Sequence, residues 1–369
     1  MSRLGVLLLL VGALAACAGP EKPKPADLGP NTQLIGIQPA WSSNIGAVGF
    51  PLHIQVVENT VFVASSDGVV AAIDARSGGD LWRVALGMAL SAGVGSDGDY
   101  AAVVSRENEL IAVKAGQEVW RQKLNALTLT APLVAGNRVF VLSTDRSVSA
   151  FDATTGRKLW LQYRNGDALV LGQPGVIVAV GDTLVIGLGG RLVGMNPSNG
   201  NVRWEAPIAN SRGTNEVERL VDVVSGVSRV GDQVCVRAFQ SAVGCVEADK
   251  GRVMWSAAAS GSTGLHGDST MVVGTESDGK IQAWRRADGE RLWTSDRLRY
   301  RVLTAPLLVG RSLVVGDGSG TLHFLSRQDA EPLNRLSTDG SPVAAGPVLS
   351  GQTVIAVTQR GGIYGFRPE

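Results

Sequence analysis

The chain has 369 residues, with 34 Lys or Arg, 33 Asp or Glu and 3 His, for a formal net charge of +1. Its length permits one large domain or two to three ordinary ones, and 44% hydrophobic residues exclude a disordered chain. The charge balance argues against a dedicated nucleic-acid binder, and three His and three Cys leave little material for a metal or haem centre. The 47 Gly, set among many short Val/Ile/Leu runs, point to an all-β protein rich in tight turns.

Arg3 followed by the apolar run Leu4 to Leu14 has the form of a signal peptide. Eleven residues are too few to cross a bilayer as a helix, which takes about 20. The ending Leu14-Ala15-Ala16-Cys17 resembles the lipobox of bacterial lipoproteins, which implies cleavage after residue 16 and a lipid-bearing Cys17 as the new N-terminus. Ala18, rather than Asp, in the second mature position points to the outer membrane by the sorting rule of enteric bacteria. Loss of Arg3 leaves equal numbers of basic and acidic side chains, so the lipid alone would hold the chain at a membrane. Pro20, Pro23, Pro25 and Pro30 favour polyproline II, so residues 17–30 are expected to form a tether of at most about 40 Å that stands the folded body off the membrane.

A repeat organises residues 31–369. Seven of the eight Trp recur at intervals of about 42 residues: Trp41, Trp82, Trp120, Trp160, Trp204, Trp255 and Trp293; Trp284 stands outside the series. Before most of them lies one phrase, a hydrophobic strand, an acid, a turn, and Gly four residues ahead of Trp. Asp74-Ala-Arg-Ser-Gly78-Gly-Asp-Leu-Trp82 and Asp152-Ala-Thr-Thr-Gly156-Arg-Lys-Leu-Trp160 are the clearest copies. A degenerate copy is placed at Leu336, without Trp. Upstream of the acid come two further apolar runs joined by turn signals such as Asp67-Gly68 and Asp317-Gly318, which supply the positive φ of tight hairpins. Four short strands per repeat of this length make one blade of a β-propeller. One blade cannot bury both of its faces, so blades stack radially, and the Trp is placed at the blade-to-blade interface.

Leu336 to Glu369 falls short of one repeat, and the residues from Leu34 to Trp41 supply the remainder. The last blade is therefore expected to be completed by the first strand, which closes the ring without a free edge. The expected fold is one all-β domain, an eight-bladed propeller of four-stranded antiparallel blades.

The phrase Ala150-Phe-Asp152-Ala-Thr-Thr155-Gly156-Arg-Lys-Leu-Trp160 resembles the repeat of pyrroloquinoline-quinone dehydrogenases, whose propellers dock Trp between blades. It is unlike WD40 repeats, since no Trp-Asp dipeptide ends the strands. Together with the lipobox, the Pro-rich tether and the length of the propeller, the whole chain resembles the BamB family, lipoproteins of the β-barrel assembly machinery. That resemblance implies a scaffold without enzymatic activity, cofactor or metal. It would bind the periplasmic POTRA domains of BamA and assist insertion of β-barrel proteins into the outer membrane. A quinoprotein enzyme is the rival reading; such enzymes carry adjacent cysteines over the cofactor, whereas the cysteines here are Cys17, Cys235 and Cys245. A third reading has extended peptides, including unfolded outer-membrane protein strands, adding to the blade edges.

The two longest Trp intervals place extra residues in adjacent repeats, at 163–174 and at 210–222. Both follow the Trp strand and precede the next blade, so both should emerge on one rim and form a binding face. The family resemblance implies the same place. Its partner-facing loops carry Leu-x-Leu-Arg-Gly and Arg-Leu-x-Asp-Val-Asp, matched here by Leu169-Val-Leu171-Gly172 and Arg219-Leu-Val-Asp222-Val-Val224. Gly172 and Val224 depart from that pattern. The expectation is that exposed Leu169 and Leu171 anchor the partner while Arg219 and Asp222 supply polar pairing.

Cys235 and Cys245 lie ten apart on what read as consecutive strands of one hairpin. A loop at 239–241 would set them opposite one another for a disulfide; a one-residue slip would turn one to the other face. His53, His266 and His323 share no ligand spacing, and Arg297-Leu-Arg299-Tyr-Arg301 reads as a solvated loop.

Overall fold

The computed structural model describes residues 23–164, 170–209 and 220–369. Among them are thirty-two strands and no helix. The strands form eight antiparallel four-stranded sheets, seven of which pair their strands in chain order. Blades 1 to 7 span 55–85, 90–123, 133–163, 177–207, 223–258, 265–295 and 307–337. Blade 8 joins three strands of 348–368 to Ile37–Asn44, which pairs antiparallel along Gly362–Pro368. The ring is closed as the repeat arithmetic requires, and blade 8 touches blade 1.

The second and third strands of a blade are buried on both faces because each sheet is sandwiched between two neighbours. Val61, Phe62, Val63 and Ala64, and across from them Val70, Ala71, Ala72 and Ile73, are all withdrawn from water. Such strands read as unbroken apolar runs, whereas the outer strands alternate toward solvent.

Each Trp of the series sits on an outer strand opposite a small residue of the third strand. The pairs are Ala72–Trp82, Ala112–Trp120, Ala150–Trp160, Gly194–Trp204, Cys245–Trp255, Ala283–Trp293 and Gly365–Trp41. A β-bulge lies beside every one of these pairs. The indole reaches the following blade. Trp41, Trp120, Trp160, Trp255 and Trp293 donate Nε1–H to the carbonyls of Ala75, Ala153, Pro197, Arg286 and Arg327, each in the turn after the next blade's third strand. The Gly of that turn lies against the ring. A Cβ at Gly78 would come 2.4 Å from Trp41, and one at Gly156 would come 2.7 Å from Trp120. The repeated Gly thus serves the Trp of the preceding repeat. The repeated acid shapes the same turn: Asp152 accepts the N–H groups of Thr154 and Thr155 and the Thr155 hydroxyl.

Blade 7 departs from this pattern, and its register corrects the placement of the degenerate copy. Asn334, not Leu336, occupies the Trp position, opposite Phe324. Ala330 takes the place of the turn Gly, with φ +59°. The bulky and small members of the pair have changed sides.

The space beside Asn334 is taken by the N-terminal segment. Asn334 donates to the Ile35 carbonyl and accepts from Asn31, the Leu34 N–H reaches the Leu333 carbonyl, and Arg335 donates to the carbonyls of Leu28 and Gly29. Leu28 packs on the core between blades 6 and 7. Farther up, the Ala26 N–H donates to Arg299, and Arg301 clamps the Ala26 carbonyl while pairing with buried Asp317. The tether expected to run free to residue 30 is therefore docked from Ala26 onward.

In blade 5, Cys235 and Cys245 are directly opposed, with the loop at 239–241 between Ala238 and Ala242, and their sulfurs are joined. Trp284, the Trp outside the series, is fully buried beside them.

Candidate functional site

Antiparallel order puts the hairpins between second and third strands, and the connections between blades, on one face of the ring. On that face a cleft opens among blades 3, 4 and 5. Its walls are the Ser143–Arg146 hairpin of blade 3, the Gly187–Gly189 hairpin of blade 4, and the two long connections, represented by 170–175 and 222–224.

The connections are fastened to each other. The Leu171 N–H donates to the Asp222 carboxylate at 3.0 Å, the Ser225 N–H donates to the Pro174 carbonyl at 2.8 Å, and Gly175 bridges Val224. Both are also fastened to the blades. The Gly175 N–H reaches the Thr130 hydroxyl at 2.8 Å, and the Val223 N–H reaches the Gly189 carbonyl at 3.0 Å. Gly187 and Gly190 make room for this, since a Cβ there would strike Val223 and the Ala209 carbonyl. The Gly-rich hairpin is thus a seat for the neighbouring connection.

Among the sequence-predicted residues, Leu171 and Asp222 come together at the cleft. Leu171 is half-buried in its wall rather than a protruding anchor, and Asp222 spends one carboxylate oxygen on Leu171 inside the chain. Leu169, Arg219 and Cys17 lie outside the described residues.

Three contributors were not singled out from the sequence. Arg146 lies 3.8 Å from the other Asp222 oxygen. Its φ of +63° falls at a turn position where blade 1 has Gly68, so a long cationic side chain is held at the cleft at a backbone cost. An Arg in the slot where several other repeats have Gly was the available signal. Leu127 and Tyr163 form an exposed apolar rim. Thr144 holds the Leu127 carbonyl, and Asn125 donates to the Tyr163 hydroxyl.

The cleft combines an apolar rim, a preorganised backbone, and one carboxylate with one guanidinium at the centre. Among the described residues, no three His, Cys, Asp or Glu side chains gather to hold a metal. The His are spread over the ring: His53 meets Gln55, His266 accepts the Leu308 N–H, and His323 pairs with Asp317.

The fold is shared with two groups of solved structures. BamB from Moraxella catarrhalis superposes with a TM-score of 0.81 at 22% identity, covering 90% of this chain and 99% of that one. The quinohemoprotein alcohol dehydrogenase of Comamonas testosteroni superposes at 0.70 and 15% identity, covering 91% and 77%, a likeness of fold alone. In sequence, the outer membrane protein assembly factor BamB of Burkholderia pseudomallei is 36% identical over 360 residues, 96% of this chain and 94% of that protein. Residues 66–295 match the family profile described as outer membrane protein assembly factor BamB. With the closed eight-bladed ring and a match across nearly the whole length, the chain belongs to the BamB family of outer membrane protein assembly factors.

Proposed function

We propose that this protein is a non-catalytic scaffold of the β-barrel assembly machinery. Lipid on Cys17 holds it at the periplasmic face of the outer membrane, and the cleft among blades 3, 4 and 5 docks the POTRA domains of BamA. The observation that carries the docking is the bond from the Leu171 N–H to Asp222, which fastens the two long connections before any partner arrives. A surface already in its binding shape loses less entropy on association. Leu171, Leu127 and Tyr163 supply apolar contact, Asp222 and Arg146 orient the surface, and Leu169 and Arg219 adjoin it in sequence. Family membership and three cysteines with no adjacent pair support a role without quinone chemistry.

Asp222→Lys combined with Leu171→Asp should abolish co-purification of BamA from solubilised membranes, and undiminished capture ends the proposal. Because Asp222 also holds the loop, Tyr163→Asp, which touches only an exposed side chain, is the companion variant. It should weaken capture on the order of tenfold with an unchanged melting temperature. Adding pyrroloquinoline quinone with calcium should give no saturable binding; a saturable isotherm would restore the enzyme.

A second reading has its own observation. Leu81, Val119 and Leu292, each preceding a Trp on an outer strand, are exposed, so an extended barrel-protein segment has an apolar edge to pair with. Photocrosslinking from position 81 or 171 separates the two: a discrete BamA adduct from 171 alone supports docking, and a broad smear from 81 supports strand addition.

A further inference from the structure

The docked N-terminal segment fixes where the chain leaves the propeller. Ala26 is bonded on both its backbone groups, through its N–H to the Arg299 carbonyl at 2.9 Å and through its carbonyl to Arg301 Nε at 2.9 Å. Ala26 lies nine positions after Cys17. At the polyproline rise of about 3.1 Å per residue, favoured by Pro20, Pro23 and Pro25, that is roughly 28 Å of reach. A lipid on Cys17 therefore holds the 296–302 connection, between blades 6 and 7, near the bilayer whatever the rest of the molecule does.

The tip of that connection has an unusual character. Tyr300 and Val302 are exposed, Val302 at 78%, and both are left-handed, with φ of +61° and +54°. A β-branched residue in that region is a genuine outlier. The conformation is imposed by the backbone around it, where Tyr300 N–H reaches the Asp278 carbonyl and the Arg301 carbonyl accepts the Gly318 N–H. The effect is to push the Val302 side chain into solvent and to hold the Tyr300 ring at the surface beside it, where Arg299 lies 4.9 Å from the ring centre and donates to the hydroxyl at 2.9 Å. The neighbouring guanidinium groups are already engaged: Arg297 with Glu331, Arg299 with Asp278, and Arg301 with Asp317. They are not free to grip headgroup phosphates, so the contact this tip offers is an interfacial one, through Tyr300 and Val302.

We propose that the Arg297–Val302 connection is the rim on which the propeller rests against the lipid surface, Tyr300 and Val302 dipping into the headgroup region. This rests on the lipid anchoring at Cys17 in the function proposed above. Two side chains bind a bilayer feebly, but a short tether raises their effective concentration to the millimolar range, so a weak contact stays occupied.

The test uses the lipidated full chain on vesicles of phosphatidylethanolamine and phosphatidylglycerol, with a nitroxide at Val302→Cys. Cys235 and Cys245 are bonded to each other, so the introduced thiol takes the label. A second label at Asp182→Cys, on a blade 4 hairpin of the other face, is the reference. The chain should float with the vesicles and a Cys17→Ser chain should not. The label at 302 should be several-fold less accessible to a water-soluble nickel chelate than the label at 182. A lipidated chain that fails to float overturns the anchoring and this proposal together. Flotation with label 302 as open to nickel as label 182 overturns this proposal alone, as does equal shielding at both positions.

Discussion

At Gly156 two demands fall on one residue. Its φ is +70°, and a Cβ would press to 2.7 Å from the Trp120 ring of the preceding blade. Ala there meets a backbone cost of about 1–2 kcal/mol and an overpacking cost of about 1–3 kcal/mol. Gly136 has φ +58° with open space around it, so Ala costs the backbone share alone. Urea denaturation should show Gly156→Ala losing clearly more stability than Gly136→Ala; equal losses would mean the indole contact carries no weight. The Gly and the Trp are legible in the sequence because most repeats solve the same steric problem with the same two residues. What spacing does not reveal is that the Gly of one repeat serves the Trp of the one before, since that contact is made across blades. Asn334 is illegible for a related reason. With Phe324 and Asn334 exchanging bulk, a search for an aromatic runs past the position to Leu336. Arg146 escapes a motif search because its signal is a backbone angle filled by an unexpected side chain.

The N-terminal strap is the element that composition misreads. Four prolines within 18–30 describe a chain with no interest in helix or sheet, and they say nothing of Arg301 and Arg335, some three hundred residues away, reaching its carbonyls. Arg335→Ala removes two of these bonds, and hydrogen exchange should then quicken at the Leu34 N–H while the amides of blades 1 to 5 hold their rates. Unchanged exchange at Leu34 would show the strap to be held by other contacts. The strap is also sensitive to acid through Asp317. Burial pulls that carboxyl up, but hydrogen bonds from His323, Ser319 and the Thr321 N–H outweigh it and hold it well below the usual carboxylate range. A folded-state value below the unfolded one stabilises fully above the unfolded value, near 3.8, and the contribution fades as pH falls toward the folded value. Asp317→Asn should therefore be less stable than the parent at pH 7, with the gap narrowing below about pH 4. A gap independent of pH would leave the charge without a role. The two long connections lie between these cases: their length and shared rim are plain from the Trp intervals, but Asp222 turning inward onto a backbone N–H is a tertiary fact.

For the molecule as a whole, eight blades could be counted because the repeat is regular and the shortfall at one end matches the surplus at the other. The ring then stands on a single seam, Ile37–Asn44 against Gly362–Pro368. Removing residues 362–369 takes away the strand between the N-terminal one and the rest of blade 8. Such a chain should sediment as a more expanded particle and lose its single cooperative melt, whereas the same number of residues removed from 17–24 should leave both unchanged. A truncated ring that still melts in one sharp step would assign closure to the contacts between blades. The seam also has a consequence in time. Its two halves are made first and last, so a growing chain carries its opening strand unpaired until residues 348–368 have followed, and the closure of so long a loop is the slowest kind of contact to form. An unfinished copy is therefore an open arc with different spacing between its blades. A partner that grasps several blades at once has in that spacing a built-in inspection of whether the protein it meets is complete.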